Sequence, residues 1–266
     1  MTMRRLGVAL ITVFFLSVSS NLIACSIVYF IDEVSYWYET KDYIQINPAK
    51  KGEYARLWYG WKDFAQGGVN AAGLFFDAAV TPKQPMPEGF KSPNGRNIGD
   101  EILAKCKNVA EAILLITEEK IAVDAGHMMF GDARGNAVVL EWIDGEQHLT
   151  QIEGNSLIAT NFLLADTSAG NFPCYRYASI ETRIKQLNEK KEAVDLNEFG
   201  NVIAGAVQMP REDENGKVGG TLYSSFIDLT DMKLVVVPKL NNENAVVLDL
   251  KEEFARGKKK KIKLKG

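Results

Sequence analysis

Short apolar runs with alternating character dominate this chain, and most of them predict strands. Residues 26–31 are β-branched and aromatic and predict a strand, with 35–38 as its return partner. Residues 44–56 are polar, carry Asn47-Pro48 and Lys50-Lys51-Gly52, and predict a loop. A short aromatic strand follows at 56–61. Residues 67–73 predict a turn with Gly73 at a positive φ, leading into a buried strand at 74–80. The Pro-, Gly- and Lys-rich segment 82–97 predicts a surface loop long enough to act as a lid. Helical spacing over 100–112 puts Ile102, Leu103, Cys106 and Val109 on one face, and a second helix is predicted at 117–125. Strands at 128–130 and 137–142 flank a turn from Asp132 to Gly135, and further strands are predicted at 148–152 and 157–162. Helices at 175–187 and 196–207 precede closing strands at 221–228, 233–238 and 244–250. Strands joined by hairpins imply antiparallel sheets, and strand runs interrupted by helix pairs imply an α+β fold with helices layered on sheets.

The first 24 residues break this pattern. Arg4 and Arg5 precede an apolar stretch from Leu6 to Val18, and a polar-to-small tail ends at Ala24. That is the layout of an export signal. Cutting after Ala24 makes Cys25 the first residue of a mature chain. A chain that begins with cysteine carries a nucleophile and a base in one residue: the thiol attacks and the α-amine takes its proton. An α-amine has an unperturbed pKa of about 7.7–8.0, close to a working pH. Leu22-Ile23-Ala24-Cys25 also fits the pattern at which exported lipoproteins are cut and acylated on cysteine, which would block both groups. The leader alone leaves both readings open.

Composition narrows the classes. With 46% hydrophobic and 24% charged residues, the 266-residue chain is an ordinary globular one with a full core. No second apolar stretch approaches the ~20 residues of a membrane helix. Net charge is −3, and six lysines lie within residues 258–266, so the body before them is more acidic still. An acidic body argues against a nucleic-acid partner, and the basic end predicts a solvated, disordered tail after a domain spanning 25–257. Cys106 and Cys174 are read as two buried thiols, with a disulfide between them as the alternative in an exported protein. His127 and His148 have no Cys or carboxylate at ligand spacing, which argues against zinc. No Gly-rich loop followed by Lys-Ser/Thr is present, so neither a metal nor a nucleotide cofactor is expected.

Six segments in order resemble the choloylglycine hydrolase family of N-terminal-nucleophile (Ntn) hydrolases, which includes bile-salt hydrolases and penicillin V acylases. They are Ala24-Cys25-Ser26; Asp42 within Glu39-Thr40-Lys41-Asp42-Tyr43; the run from Gln66 to Leu74; Thr160-Asn161-Phe162; Pro173-Cys174-Tyr175-Arg176-Tyr177; and Thr221-Leu222-Tyr223-Ser224-Ser225. The resemblance implies a four-layer αββα sandwich of two antiparallel sheets with helices outside, and cleavage of a linear amide in a small N-acyl compound. It implies Cys25 as nucleophile, Asp42 as the carboxylate that holds the N-terminal cysteine, and Asn161 as an oxyanion donor. It also implies Arg176 as a basic residue at the substrate pocket. Asn70, in Gly-x-Asn-x-x-Gly, is read as a shaped-turn residue with a pocket contact as the second reading, and a backbone N–H between Asp77 and Val80 completes the oxyanion hole. Glu39 stands where bile-salt hydrolases typically carry Arg, and Val69 and Ala71-Ala72 replace the usual Met and Glu-Lys. These departures point away from a bile-salt hydrolase proper. The aromatic residues Tyr36, Trp37, Tyr38, Trp58, Tyr59 and Trp61 are core residues on the plainer reading and the lining of an acyl pocket on the other. Three function classes follow: an exported amidohydrolase, an acyltransferase using the same acyl-enzyme, or a lipid-anchored or inactive binding scaffold.

Overall fold

The computed structural model describes residues 13–15, 26–28 and 42–265, apart from 171, 173, 191–195 and 217. Its elements begin with β1 (Val13–Phe15), β2 (Ser26–Val28), β3 (Tyr43–Asn47), β4 (Arg56–Trp61), β5 (Phe64–Asn70) and β6 (Leu74–Val80). Helices α1 (Ile98–Lys105) and α2 (Val109–Glu118) precede β7 (Gly126–Asp132), β8 (Ala137–Ile143), β9 (Glu146–Gln151) and β10 (Ser156–Ile158). Helices α3 (Tyr175–Lys190) and α4 (Leu196–Ala204) are followed by the small hairpin β11 (Arg211–Glu212) and β12 (Val218–Gly219). The chain ends with β13 (Tyr223–Asp228), β14 (Lys233–Pro238), β15 (Val246–Asp249), α5 (Leu250–Ala255) and β16 (Lys260–Lys263).

Two sheets face each other. One has eight strands in the order β16-β3-β4-β5-β6-β7-β8-β9, and the other six in the order β10-β2-β1-β13-β14-β15. Three apolar seams define four layers. Between the sheets, Ile44, Leu57, Val69, Phe75, Met129 and Val139 meet Leu157, Ile227, Leu234, Val236 and Leu248. Outside the larger sheet, Ile102 and Leu103 of α1 and Ala112 and Ile116 of α2 cover Leu74, Phe76, Met128, Phe130 and Leu140. Outside the smaller sheet, Ile180 and Ile184 of α3 and Val202 of α4 cover Phe226 and Val237. Period-2 alternation in the strands produces this sorting: Met128 faces the helices while Met129 faces the other sheet. Each fully buried side chain of this size contributes about 1.5–3 kcal/mol, so the seams hold the layers together. The architecture is the expected αββα sandwich.

Several elements depart from the sequence reading. The 44–56 segment is not all loop, because Ile44 and Ile46 alternate inward and make β3 a strand. Gly67 and Gly68 are strand residues rather than turn residues. A Cβ on Gly67 would lie 2.5 Å from Asp77 Oδ2 and 2.6 Å from the Tyr59 hydroxyl, so glycine makes room for that pair. Gly73 does take the positive φ, 83°. The helix expected over 100–112 is two helices, broken at residues 106–108 where Asn108 caps α2 by accepting from the Glu111 N–H. The segment expected as a lid is stitched to the 120–125 stretch by Gln84 N–H to Asp124 O, Lys91 N–H to Lys120 O and Ala122 N–H to Lys91 O. The sheets are not wholly antiparallel: β2 pairs with β10, and β1 with β13, in parallel. Those neighbours come from distant parts of the chain, which is what a parallel pairing needs.

The disordered-tail expectation is also corrected. β16 pairs antiparallel with β3, Lys260 opposite Ile46 and Lys263 opposite Tyr43. Ile262 and Leu264 pack on the inter-sheet core, Lys261 Nζ sits 3.2 Å from the centroid of the Tyr43 ring, and Lys260 pairs with Glu253 at 3.0 Å. Lysine-rich sequence here is the guard on a sheet edge, and the domain extends past residue 257. At the other end, Val13–Phe15, within the segment read from sequence as an export signal, pairs with β13. The return strand expected at 35–38 lies outside the described residues. Cys106 and Cys174 are both buried and free, as the plainer reading held.

Candidate active site

Two of the residues singled out by sequence, Asn161 and Arg176, meet at the end of β6. β6 ends at Val80, and the Asn161 side chain crosses from the loop after β10 to donate from Nδ2 to the Val80 carbonyl at 2.8 Å. Arg176, in the first turn of α3, donates from Nη1 to Asn161 Oδ1 at 3.2 Å. Arg176 is 1% exposed and Asn161 7%. The amide of Asn161 is thereby fixed in one orientation: its oxygen faces a guanidinium and one amide hydrogen is spent on Val80. The nitrogen has a second hydrogen to give. Arg176 therefore meets Asn161 directly.

Asn70 leaves the site. Its Nδ2 donates to Leu103 O at 2.8 Å and Cys106 O at 2.7 Å, and its Oδ1 accepts from Ala72 N–H and Leu74 N–H, each at 3.0 Å. All four hydrogen-bonding positions of the amide are used on backbone. The residue joins the end of α1 to the β5–β6 turn, which is the shaped-turn reading, and it has nothing left for a substrate.

Asp42 lies just before β3 and is buried. Its carbonyl accepts from Leu264 N–H at 3.0 Å, so the C-terminal strand fixes it. Its charge faces the buried Tyr223, whose phenol is pushed well up by burial and by Asp42 and Asp77. Asp77 belongs to the same inter-sheet cluster. Its Oδ2 accepts from the Tyr59 hydroxyl at 2.8 Å and its Oδ1 from Ala78 N–H at 2.9 Å. Burial pushes its carboxyl well above the usual range, against the lowering effect of the bonds from Tyr59, Ala78 and Gln66. The folded state therefore keeps a proton that the unfolded chain gives up near pH 4. Stability from this residue is greatest below that pH and falls as pH rises toward the folded-state pKa. Asp77→Asn, which mimics the protonated form, is expected to gain in melting temperature on the native protein as pH rises from 4 to 8. Melts across that range check it, and a constant gap between the two proteins would contradict it.

A cavity of about 260 Å³ opens beside Val80, lined by Trp61, Phe64, Phe76, Ala79, Met128 and Leu222 among others. Its wall is apolar, with Gln66, Arg96 and His127 as polar exceptions. Of the aromatic run read from sequence, Trp61 lines this cavity, Trp58 and Tyr59 are core, and residues 36–38 lie outside the described residues. Cys25 also lies outside them. Neighbouring Ser26 opens β2, which runs beside β10, the strand that leads to Asn161.

The family model for acyl-coenzyme A:6-aminopenicillanic acid acyl-transferase matches residues 41–242, more than half of the chain. The chain belongs to that acyl-transferase family. Among solved structures it is similar to a variant of conjugated bile acid hydrolase from Clostridium perfringens, with a TM-score of 0.68 and 16% identity over 86% of this chain and 91% of that one. It is also similar to penicillin V acylase from Agrobacterium tumefaciens, with a TM-score of 0.60 and 15% identity over 86% of both chains. A second variant of the Clostridium perfringens enzyme gives 0.64 and 17%, over 85% of this chain and 89% of that one. At these identities the likeness establishes the fold, the αββα sandwich. The resemblance to the choloylglycine hydrolase and penicillin V acylase group, read from six short segments, is borne out by family and fold together. A search of curated proteins found no match.

Proposed function

We propose that this chain is an exported amidohydrolase that cleaves the linear amide of an N-acyl compound through Cys25. The observation that carries the reading is the Arg176–Asn161–Val80 relay beside an apolar cavity. It leaves one amide hydrogen of Asn161 for an oxyanion, next to space for an acyl chain. Export and cleavage after Ala24 free the Cys25 α-amine. That amine takes the thiol proton as Sγ attacks the acyl carbon, and Asp42 holds the cysteine end. The tetrahedral oxyanion receives Asn161 Nδ2–H and a backbone N–H from the end of β6, with Arg176 positioning Asn161. Collapse breaks the C–N bond, the leaving amine takes the proton from the α-amine, and water then attacks the thioester to release the acid. Donors fixed before the reaction stabilise the developing charge without reorganising.

Membership of an acyl-transferase family supports a second reading, in which an acceptor amine intercepts the acyl-enzyme instead of water. One experiment separates the two. The mature protein is given a panel of medium-chain N-acyl amides, with and without an added amine. The hydrolase reading predicts free acid in both cases. New amide formed in place of acid would favour the transferase, and no release of amine from any substrate would contradict both.

A further inference from the structure

We infer that Glu141, held by His127, is a positioning residue for the proposed reaction. From outside the site it fixes the loop that carries Asn161, and so the direction of the amide hydrogen left for the oxyanion. This rests on the reading of Asn161 as the oxyanion donor. Residues 159–166 have no helix or strand of their own, so other contacts must aim the Asn161 side chain. Phe162 and Leu163 are buried, and Phe162 packs edge-on against Phe172 and Tyr177. Apolar burial is non-directional: it holds the loop down without fixing which way Asn161 points. Hydrogen bonds are directional, and Glu141 supplies them. Its Oε1 accepts from Leu164 N–H at 2.8 Å and its Oε2 from Ala165 N–H at 2.9 Å. Asn161 itself donates to Val80 O, so the segment from Asn161 to Ala165 is tied to the larger sheet at both ends.

Strand alternation explains how Glu141 reaches this loop. Met129 and Val139 lie in the seam between the sheets. His127 and Glu141, two positions further along β7 and β8, share that face. The loop after β10 leaves the smaller sheet, and a long side chain from β8 spans the gap to it. His127 Nδ1 and Glu141 Oε1 are 3.0 Å apart, and both side chains are fully buried. A carboxylate that already accepts from two backbone donors accepts here too, so the shared proton sits on Nδ1. His127 in turn is paired with Ala79, one residue from Val80. Val80, His127 and Glu141 thus hold the loop from three neighbouring strands. Two adjacent backbone N–H groups need two acceptor oxygens, which a glutamate has and a glutamine does not. A carboxylate that served only to satisfy those N–H groups would make the same bonds, so the test must read kcat as well as stability.

Glu141→Gln keeps the shape but turns an NH2 group toward one of the two backbone donors, which shifts the loop. A misplacement of about 1 Å can cost about 100-fold in rate. Per folded molecule, kcat is expected to fall about 10-fold or more, with KM changed less than about 2-fold. In an Asn161→Ala background the same substitution is expected to cost less than about 2-fold, because the group it positions is gone. A lower melting temperature with kcat per folded molecule unchanged, or an equal loss of kcat with and without Asn161, would overturn the inference. The side-chain amide of Asn161 gives a readout that needs no turnover. Its NMR resonances are expected to move between the native and Glu141→Gln proteins, and identical resonances refute the inference. That comparison stands even if no amide is hydrolysed, so failure of the hydrolase reading is distinguishable. If Glu141→Gln does not fold, hydrogen exchange of the native protein decides: protected Leu164 and Ala165 amides support the inference, and exchange at the rate of an open loop refutes it.

Discussion

Cys25→Ser is expected to lower amide hydrolysis by roughly 10³-fold or more while leaving the melting temperature close to that of the native protein. A serine hydroxyl is almost wholly protonated at neutral pH, and the α-amine beside it is too weak a base to change that. A cysteine thiol, with a reference pKa of about 8.5, gives up its proton to the same amine readily. The substitution changes one atom at the chain end and removes no residue of the three apolar seams, so thermal unfolding of the two proteins serves as the control. Release of amine at the native rate by the serine protein would place the nucleophile elsewhere.

Asn161→Ala is expected to lower kcat by roughly 10²–10³, as loss of one oxyanion donor does elsewhere, with little change in KM. The transition-state oxygen carries the charge that the planar carbonyl lacks, so the donor binds the former better and its loss appears in kcat. Asn161 also holds Val80 O and accepts from Arg176, so the same change strips partners from two buried groups and lowers the melting temperature. The two effects separate when kcat is expressed per folded molecule. If kcat so expressed is unchanged, Asn161 serves only to tie the loop after β10 to β6.

Strong local signals made much of this fold legible. The Asp132–Gly135 turn located the β7–β8 hairpin, the apolar run from Leu74 located β6, the valines of 235–237 located β14, and the apolar face of 175–187 located α3. Misreadings arose where tertiary context outweighs local chemistry. Two adjacent glycines usually mark a turn, yet Gly67 is small because Tyr59 and Asp77 meet above it. A lysine run usually marks a solvated end, yet Ile262 and Leu264 anchor it as an edge strand. Nothing local tells that Val13–Phe15 finds a partner more than 200 residues away in β13.

Site residues followed the same division. Asn161 and Arg176 were named from a resemblance, but their bond to each other depends on how the loop after β10 meets α3. Asn70 was legible as a turn residue through its local partners Ala72 and Leu74, while the two that use up its amide hydrogens, Leu103 O and Cys106 O, come from a distant helix end. Outside the site, the buried contact between His127 Nδ1 and Glu141 Oε1, 3.0 Å apart, was within reach of sequence: once the hairpin turn is fixed, counting outward from Gly131 opposite Ala137 puts residue 127 opposite 141. Isolated, each residue looked like an ordinary strand position.

The central claim is that Cys25 begins the mature chain with a free amine and carries the acyl group in turn. Intact and peptide mass spectrometry of protein produced in an exporting host, before and after brief exposure to substrate, tests it most directly. The account predicts a mature chain starting at unmodified Cys25, and a substrate-dependent adduct of one acyl group on that residue. A diacylglyceryl group on Cys25, or an N-terminus elsewhere, would contradict it.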